Sequence, residues 1–119
     1  MKRGRKVSGG KYRKQRKSKL FEKNRQEKLV LLGETKRKTL NVRGGNKRTI
    51  LLKENIANVL ANKKIQKVEI KNVLETPQNR FWARQNRLVK GAIIETSIGK
   101  AKITNRPSKE GMVNAIIIE

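Results

Sequence analysis

Positive charge is the property that most limits how this chain can fold. The 119 residues contain 32 Lys and Arg against nine acidic residues, which gives a formal net charge of +23. Like charges at this density repel one another in a compact state and oppose the folding of a free domain. A polyanionic partner removes that penalty. Nucleic acid is the usual partner of this kind, because each neutralised phosphate releases counterions, and an acidic membrane surface is the other.

The charge is concentrated at the amino terminus. Residues 1–21 contain ten basic side chains and no acidic one. So little apolar surface accompanies them that burial cannot offset the entropy lost on ordering. We therefore predict an extended arm, disordered until it meets phosphate. Its basic residues are Lys2, Arg3, Arg5, Lys6, Lys11, Arg13, Lys14, Arg16, Lys17 and Lys19.

Two other interpretations of this arm were weighed. The first is a solvated tail that has no partner. The second is a helix lying on a membrane surface, which needs a continuous apolar face. Val7, Tyr12 and Leu20 do not form such a stripe, so the sequence favours contact with nucleic acid and predicts no membrane partner.

The residue types of catalysis are missing. The chain has no Cys, His or Asp, and its nine glutamates are scattered. Disulfides and Cys-based metal sites are excluded, and general acid–base chemistry lacks its usual groups. We predict no enzyme, no metal, no cofactor and no small-molecule substrate, although a lone Lys or Ser nucleophile would leave no pattern to detect. No apolar run suggests a signal peptide or a membrane span, and a cytosolic setting follows by default.

From Thr35 onward the pattern is typical of strands. Leu40 and Val42 alternate with polar residues, and Thr49–Leu52 is a second strand-like run. The turn residues Gly44-Gly45-Asn46 lie between the two runs, which predicts a hairpin. Further strands are predicted over Lys67–Leu74, over Leu88–Glu95 with Gly91 at a bulge or a close approach, and near Ala101–Ile103 and Val113–Ile117. Loops or turns are predicted at Glu75–Arg80, Ser97–Lys100 and Arg106–Gly111. Residues 54–62 fit a helix or a strand, and Lys28–Gly33 fits a helix end or a buried strand.

Six short strands separated by Gly, Pro and Asn predict an all-β fold, a small six-stranded barrel-like body behind an extended basic arm. Aromatic residues make up only 3% of the chain, so the core must be aliphatic. We divide the chain into a basic arm and anchor at residues 1–33 and a β-barrel body at residues 34–119.

Two places in the body are candidates for contact with nucleic acid. Gly44 and Gly45 do not have the spacing of a phosphate-binding loop and are explained as a hairpin turn. The turn also lets backbone approach phosphate, helped by its basic neighbours Arg43, Lys47 and Arg48. In the second place Arg80, Arg84, Arg87 and Lys90 frame Phe81-Trp82. These aromatic residues either pin a loop to the barrel, or Trp82 stacks on an unpaired base.

Several stretches in order along the chain carry a resemblance. They are Ser8–Lys11, Val42–Asn46, Ile70–Val73 with Pro77 and Asn79-Arg80, Lys90–Ile93, Gly99–Ala101, Thr104 with Arg106-Pro107, and Gly111 with Val113-Asn114. With these the chain resembles the e-type small-subunit ribosomal protein eight family of archaea and eukaryotes, and its short length is similar to the archaeal members. Two features depart from the family pattern: Lys17–Glu22 replaces a denser basic run, and Ser108 stands where the family favours Gly.

The resemblance implies a β-barrel with a basic arm, strand rather than helix over residues 54–62, and a non-catalytic place in the small (30S) subunit of the cytoplasmic ribosome. The implied partners are small-subunit ribosomal RNA and neighbouring ribosomal proteins, with the arm and the Arg43–Arg48 hairpin facing the RNA. Two competing functions are a free RNA chaperone of low specificity and a basic ribonuclease or toxin. The missing His and Asp disfavour the ribonuclease.

Overall fold

A computed structural model describes residues 4–13, 15–24 and 26–118. Within these ranges the chain forms eight strands and two short helices. The strands are β1 (Leu31–Leu32), β2 (Lys36–Asn41), β3 (Lys47–Glu54), β4 (Ile56–Ala61), β5 (Lys64–Glu75), β6 (Ile93–Thr96), β7 (Gly99–Ile103) and β8 (Asn114–Ile117). The helices are α1 (Arg80–Arg84) and α2 (Pro107–Glu110).

Strands β4 to β8 form a closed barrel. Neighbours along the chain pair antiparallel, and β8 closes the barrel by pairing parallel with β4, with Asn58 opposite Asn114. The register of β5 against β6 shifts twice between Ile70 and Glu75, and such irregularities bend a strand and increase its twist. Five strands enclose a narrow space, which small side chains fill: Ala57, Ala92, Ala101 and Ala115 are all buried.

The other three strands form a separate sheet in the order β1-β3-β2. Its central strand contributes Leu51, which is fully buried in the same apolar cluster as the barrel residues. Val30, just before β1, joins that cluster, and its carbonyl accepts a 2.9 Å hydrogen bond from the Leu88 amide. The apolar run Lys28–Gly33 is therefore a short strand, the second of its two predicted alternatives.

A buried carboxylate ties the small sheet together. Glu54 at the end of β3 is 4% exposed, and its Oε1 accepts a 2.5 Å hydrogen bond from Thr35 Oγ1. Arg37 on β2 donates to its other oxygen at 3.2 Å. A buried charge is tolerated when it is paired and hydrogen-bonded. These contacts join β2 and its leading residue to β3.

The all-β prediction is confirmed, and so are the hairpin around Gly44-Gly45 and the strand within residues 54–62. The predicted count of six strands in the barrel is wrong, because the barrel has five and the hairpin belongs to the separate sheet. The predicted strand Leu88–Glu95 begins only at Ile93. Gly91 has a φ of 84° in a turn before β6, and the Leu88 amide bonds to Val30 instead of to a barrel strand.

Two predicted loops or turns contain short helices. Asn79 caps α1, because its side chain accepts a 2.9 Å hydrogen bond from the Phe81 amide, and a cap of this kind stabilises a helix start. In α2, Pro107 occupies the first turn and Gly111 ends the helix with a φ of 76°. Ser108 lies inside α2, and the positive φ of this turn falls on Gly111 instead. Ser108 in place of the Gly that the family favours therefore causes no backbone strain.

The amino-terminal residues lie outside both sheets. Every described residue from Gly4 to Leu29 is exposed, and the structure measures 73 × 38 × 23 Å. The radius of gyration is 21.4 Å, whereas a compact domain of this length would have about 14 Å. The division at residue 33, and the disorder of the arm without RNA, stay predictions.

The shared core makes a prediction about stability. Replacing Leu51→Ala empties a fully buried site that joins the small sheet to the barrel, and should lower the free energy of unfolding by about 2–5 kcal/mol. Leu60→Ala is the matched control, because Leu60 also lies in a strand but is 39% exposed, and should cost about 0.5 kcal/mol or less. Urea unfolding measures both. Equal losses, or two separate transitions in the unmodified chain, would show that the sheet and barrel do not share one core.

Candidate nucleic-acid interface

The tip of the β2–β3 hairpin is shaped by its two glycines. Gly44 and Gly45 have φ values of 75° and 74°, which residues with a Cβ rarely adopt. The Val42 amide donates to the Asn46 carbonyl at 2.8 Å, and Asn46 Nδ2 donates to the Arg43 carbonyl at 3.3 Å. The turn thus needs these residues for its own geometry. It also leaves three predicted RNA-binding residues exposed beside it, namely Arg43, Lys47 and Arg48.

The hairpin carries more positive charge than the sequence analysis assigned to it. Residues 36–54 contain seven basic residues and one acidic residue, and that acid, Glu54, is buried and bonded to Arg37. The predicted residues do not include Lys36, Arg37, Lys38 and Lys53. The uninterrupted run Lys36-Arg37-Lys38 on the first arm of a predicted hairpin was the available signal.

The strand register distributes this charge over both faces of the sheet. Leu40 lies opposite Arg48, and Asn41 lies opposite Lys47. Because residues alternate between faces along a strand, Lys38 and Arg48 share one face while Arg37 and Lys47 share the other. Strand β2 is also an edge of its sheet, where lysines discourage pairing with another chain.

Helix α1 presents the second group. Trp82 is half-buried, and the Arg87 guanidinium carbon lies 5.2 Å from its ring centroid. Phe81 is 63% exposed, and the Arg84 guanidinium carbon lies 6.0 Å from its ring. The aromatic ring open to an approaching base is therefore that of Phe81, while Trp82 already packs against a cation of its own chain. The predicted residues Arg80 and Arg84 are one helical turn apart and exposed.

In the arm, one turn brings three predicted residues together. Arg5 and Lys11 form an isolated antiparallel bridge, and Gly9 permits the reversal with a φ of 77°. The Lys6 amide donates to the Gly10 carbonyl at 2.9 Å, and Lys6 Nζ lies 5.8 Å from the Tyr12 ring centroid. Arg13 and Lys17 are exposed. The predicted residues Lys2, Arg3 and Lys14 lie outside the described residues.

A second turn of the arm holds an ion pair. Arg16 donates two hydrogen bonds to the Glu22 carboxylate, at 2.8 and 2.5 Å, and the Lys19 amide donates a third at 3.0 Å. The Arg16 guanidinium, followed by the Lys19 amide, lowers the pKa of Glu22 below its usual value. The ion pair therefore persists to more acidic pH than it would with a glutamate of ordinary pKa. This turn, in the segment where the chain departs from the family pattern, neutralises one of the predicted RNA-binding arginines.

The structure brings the predicted residues together in three clusters: the hairpin tip, α1 and the arm. The part of the chain that the structure describes holds no group of three or more acidic, His or Cys residues that could bind a metal ion. None of the helices in that same part is long and apolar enough to cross a membrane. The arrangement is a set of exposed basic surfaces around a small rigid body.

Comparison with known proteins gives a consistent result. The sequence model of the family described as ribosomal protein S8e matches residues 1–118. A relative from Methanocorpusculum labreanum is 43% identical over 97% of this chain and 94% of its own length. Relatives from Methanocella arvoryzae and Methanococcus aeolicus are 40% and 45% identical, over 96% of this chain and 93% and 91% of their own lengths. All three are called small ribosomal subunit protein eS8.

The different surroundings of the two aromatic residues can be tested with one pair of variants. Phe81→Ala should weaken binding to small-subunit ribosomal RNA by about 1–3 kcal/mol, the usual worth of a stacked base, and leave stability unchanged. Trp82→Ala should lower the free energy of unfolding by about 0.5–3 kcal/mol and leave RNA affinity unchanged. Filter binding and thermal unfolding measure the two quantities. The opposite pattern would assign the stacking role to Trp82.

Proposed function

The chain belongs to the S8e family of ribosomal proteins, and from this we propose that it binds small-subunit ribosomal RNA as a permanent, non-catalytic component of the ribosome. The observation that carries the proposal is the match of the family along residues 1–118. The geometry supports it, because the clustered cations of the arm, the hairpin and α1 are exposed and lie outside the core. Contact with phosphate would relieve the repulsion among them.

The arm is proposed as the main source of affinity. Its ten basic residues stand on a segment whose described residues are all exposed, so binding to phosphate costs no core contact. Each neutralised phosphate adds to the salt dependence of binding. We divide the chain functionally at residue 33, with an arm that threads between RNA segments and a body that holds it in place through β1.

The β2–β3 hairpin is proposed as the second RNA contact. Its positive charge lies on both faces, with Lys38 and Arg48 on one and Lys47 on the other, where Arg37 is already paired with Glu54. A two-stranded ribbon charged on one face would lie on a single RNA surface. A ribbon charged on both faces fits between two phosphate backbones, as occurs where RNA helices pack together. Phosphate contacts of this kind fix position rather than read sequence.

The Arg16–Glu22 pair is proposed as a contact that RNA rearranges. A guanidinium fork binds carboxylate and phosphate with the same bidentate geometry. RNA phosphate would therefore compete with Glu22 for Arg16. The Glu22 carboxylate is exposed to solvent, so water can solvate it once Arg16 has moved to phosphate. The turn at Lys19–Glu22 then opens on binding.

The same family membership supports a location in the cytoplasm, within the small subunit and beside neighbouring ribosomal proteins. No step of catalysis is assigned to it, which agrees with the absence of His, Cys and Asp from the sequence. The exposed pair Phe81 and Arg84 would contribute stacking on an unpaired base.

Removing the arm tests this division of labour. Deletion of residues 1–19 should leave the body folded, weaken binding to small-subunit ribosomal RNA, and flatten the salt dependence of the affinity, because up to ten phosphate contacts are lost. Circular dichroism and binding over a salt series measure these effects.

A full-length control separates charge from chain length. In that variant the ten basic residues of the arm are replaced by Gln, and it should bind as weakly as the deletion. If the truncated chain unfolds, the arm is part of the core and the division at residue 33 is wrong. If the Gln variant binds like the natural chain, arm charge does not supply the affinity.

A further inference from the structure

A cleft of about 590 Å³ opens on the barrel surface beneath α1. Its walls come from the end of β5, the loop that follows, one side of α1, the start of β6, β7 and the residue after β8. This volume lies in the range of sites that take small ligands, about 300–1,000 Å³. The side chains that matter below are Glu75, Arg80, Ile93, Lys102 and Ile118, and all of them line the cleft.

Strand register sets three of these residues in a row. Glu75 on β5 lies opposite Ile93 on β6, and Ile93 lies opposite Lys102 on β7. Neighbouring strands are about 4.8 Å apart, so Glu75 and Lys102 stand about 10 Å apart with Ile93 between them. Within the described residues, neither of them forms an ion pair. The order across its floor is a carboxylate, an apolar side chain and an ammonium group.

The walls of the cleft are held in place by hydrogen bonds. Gln78 Nε2 donates to the Lys90 carbonyl at 2.7 Å, which joins the loop after β5 to the turn before β6. The Gly91 amide donates to the Ile103 carbonyl at 2.7 Å. Asn79 caps α1, and the Ile118 amide donates to the Lys100 carbonyl at 2.9 Å. A ligand would therefore enter a preformed site, and its binding would cost little conformational entropy.

The charged side chains of the cleft are not used in contacts that stabilise the fold. Within the described residues, the side chains of Glu75, Arg80 and Lys102 make no hydrogen bond or ion pair with protein. All three are exposed. Ile93 and Ile118 offer apolar surface between them. A ligand that satisfies every group must combine an anion, a flat or apolar middle and a hydrogen-bond donor at its far end.

We propose that this cleft holds one unpaired nucleotide of the bound RNA. The base packs on Ile93 and Ile118, its exocyclic amino group donates to the Glu75 carboxylate, and its phosphate lies between Arg80 and Lys102. The inference rests on the proposed function and deepens it, because it assigns a base-reading site in addition to phosphate contacts.

The chemistry of Glu75 selects among the bases. A carboxylate accepts hydrogen bonds from the exocyclic amino groups of cytosine, adenine and guanine, whereas uracil has no amino group and offers only its N3–H between two carbonyl acceptors. Nucleotides with an amino-bearing base therefore bind, and uridine is disfavoured. Free inorganic phosphate would leave the apolar wall uncovered and the carboxylate unpaired, so it fits the cleft poorly.

The test uses the full-length chain with the mononucleotides AMP, CMP and UMP and with inorganic phosphate, followed by amide chemical shifts in NMR spectra. We expect AMP and CMP to shift the amides of Gly91, Ile93 and Lys102. We expect UMP to shift them much less, and phosphate alone to act only on the arm and hairpin. Lys102→Gln should weaken CMP binding at the cleft about tenfold, as expected for one lost charge-assisted contact.

Matched control variants show whether the effects on nucleotide binding arise in the cleft. Lys100→Gln removes the same charge from the same strand and face but outside the cleft, and should leave CMP binding there unchanged. Glu75→Gln should abolish the preference for CMP over UMP, because an amide can also donate to uracil O4, while Glu95→Gln on the adjoining strand should preserve it. Equal effects of Lys102→Gln and Lys100→Gln, or shifts confined to the arm and hairpin, would overturn the cleft as a nucleotide site.

Binding of small-subunit ribosomal RNA is measured on the same samples. If the chain binds this RNA while the cleft amides stay unshifted by every nucleotide, the cleft proposal is wrong and the proposed function stands. If the chain does not prefer this RNA, the proposed function fails independently of the mononucleotide result.

Discussion

Repulsion among positive charges is the constraint on which the rest of this structure depends. The body must stay folded on a small aliphatic core while the chain carries a net charge of +23. It does so by joining two sheets through one apolar cluster, with Leu51 and Val30 packed among the residues of the barrel. Among the described residues one carboxylate is buried, that of Glu54, and each of its oxygens accepts a hydrogen bond. The cations are exposed and do not disturb the packing of the core.

That placement connects fold to function. The cations stand on the arm, on the hairpin and on α1, where exposure to water keeps their mutual repulsion screened in the free protein. The same exposure leaves them available to phosphate. The arm combines dense charge with two short turns, and the hairpin has charge on two faces. In the proposed function, affinity comes mainly from the arm, and the hairpin and the cleft beside α1 fix position.

Much of the fold could be predicted because local patterns decide it. Period-two alternation around Gly44-Gly45 defines the hairpin, and the alternation of Val68 and Ile70 with polar residues defines β5. The predictions that were wrong, the start of one strand and the number of barrel strands, both depend on long-range contacts. The Leu88 amide bonds to Val30, far away in sequence, so the expected strand starts late, and closure of β8 on β4 fixes a barrel of five strands. The row Glu75–Ile93–Lys102 depends on bulges in β5 that no sequence pattern signals. The run of basic residues Lys36–Lys38, in contrast, can be read directly from the sequence.

We propose that this protein recognises one RNA rather than any polyanion. Competition binding over a salt series measures that preference, with small-subunit ribosomal RNA set against an unrelated folded RNA and duplex DNA. We expect a preference of several orders of magnitude for the ribosomal RNA that persists at moderate salt. Near-equal binding to all three, vanishing together as salt rises, would contradict it and identify a purely electrostatic binder.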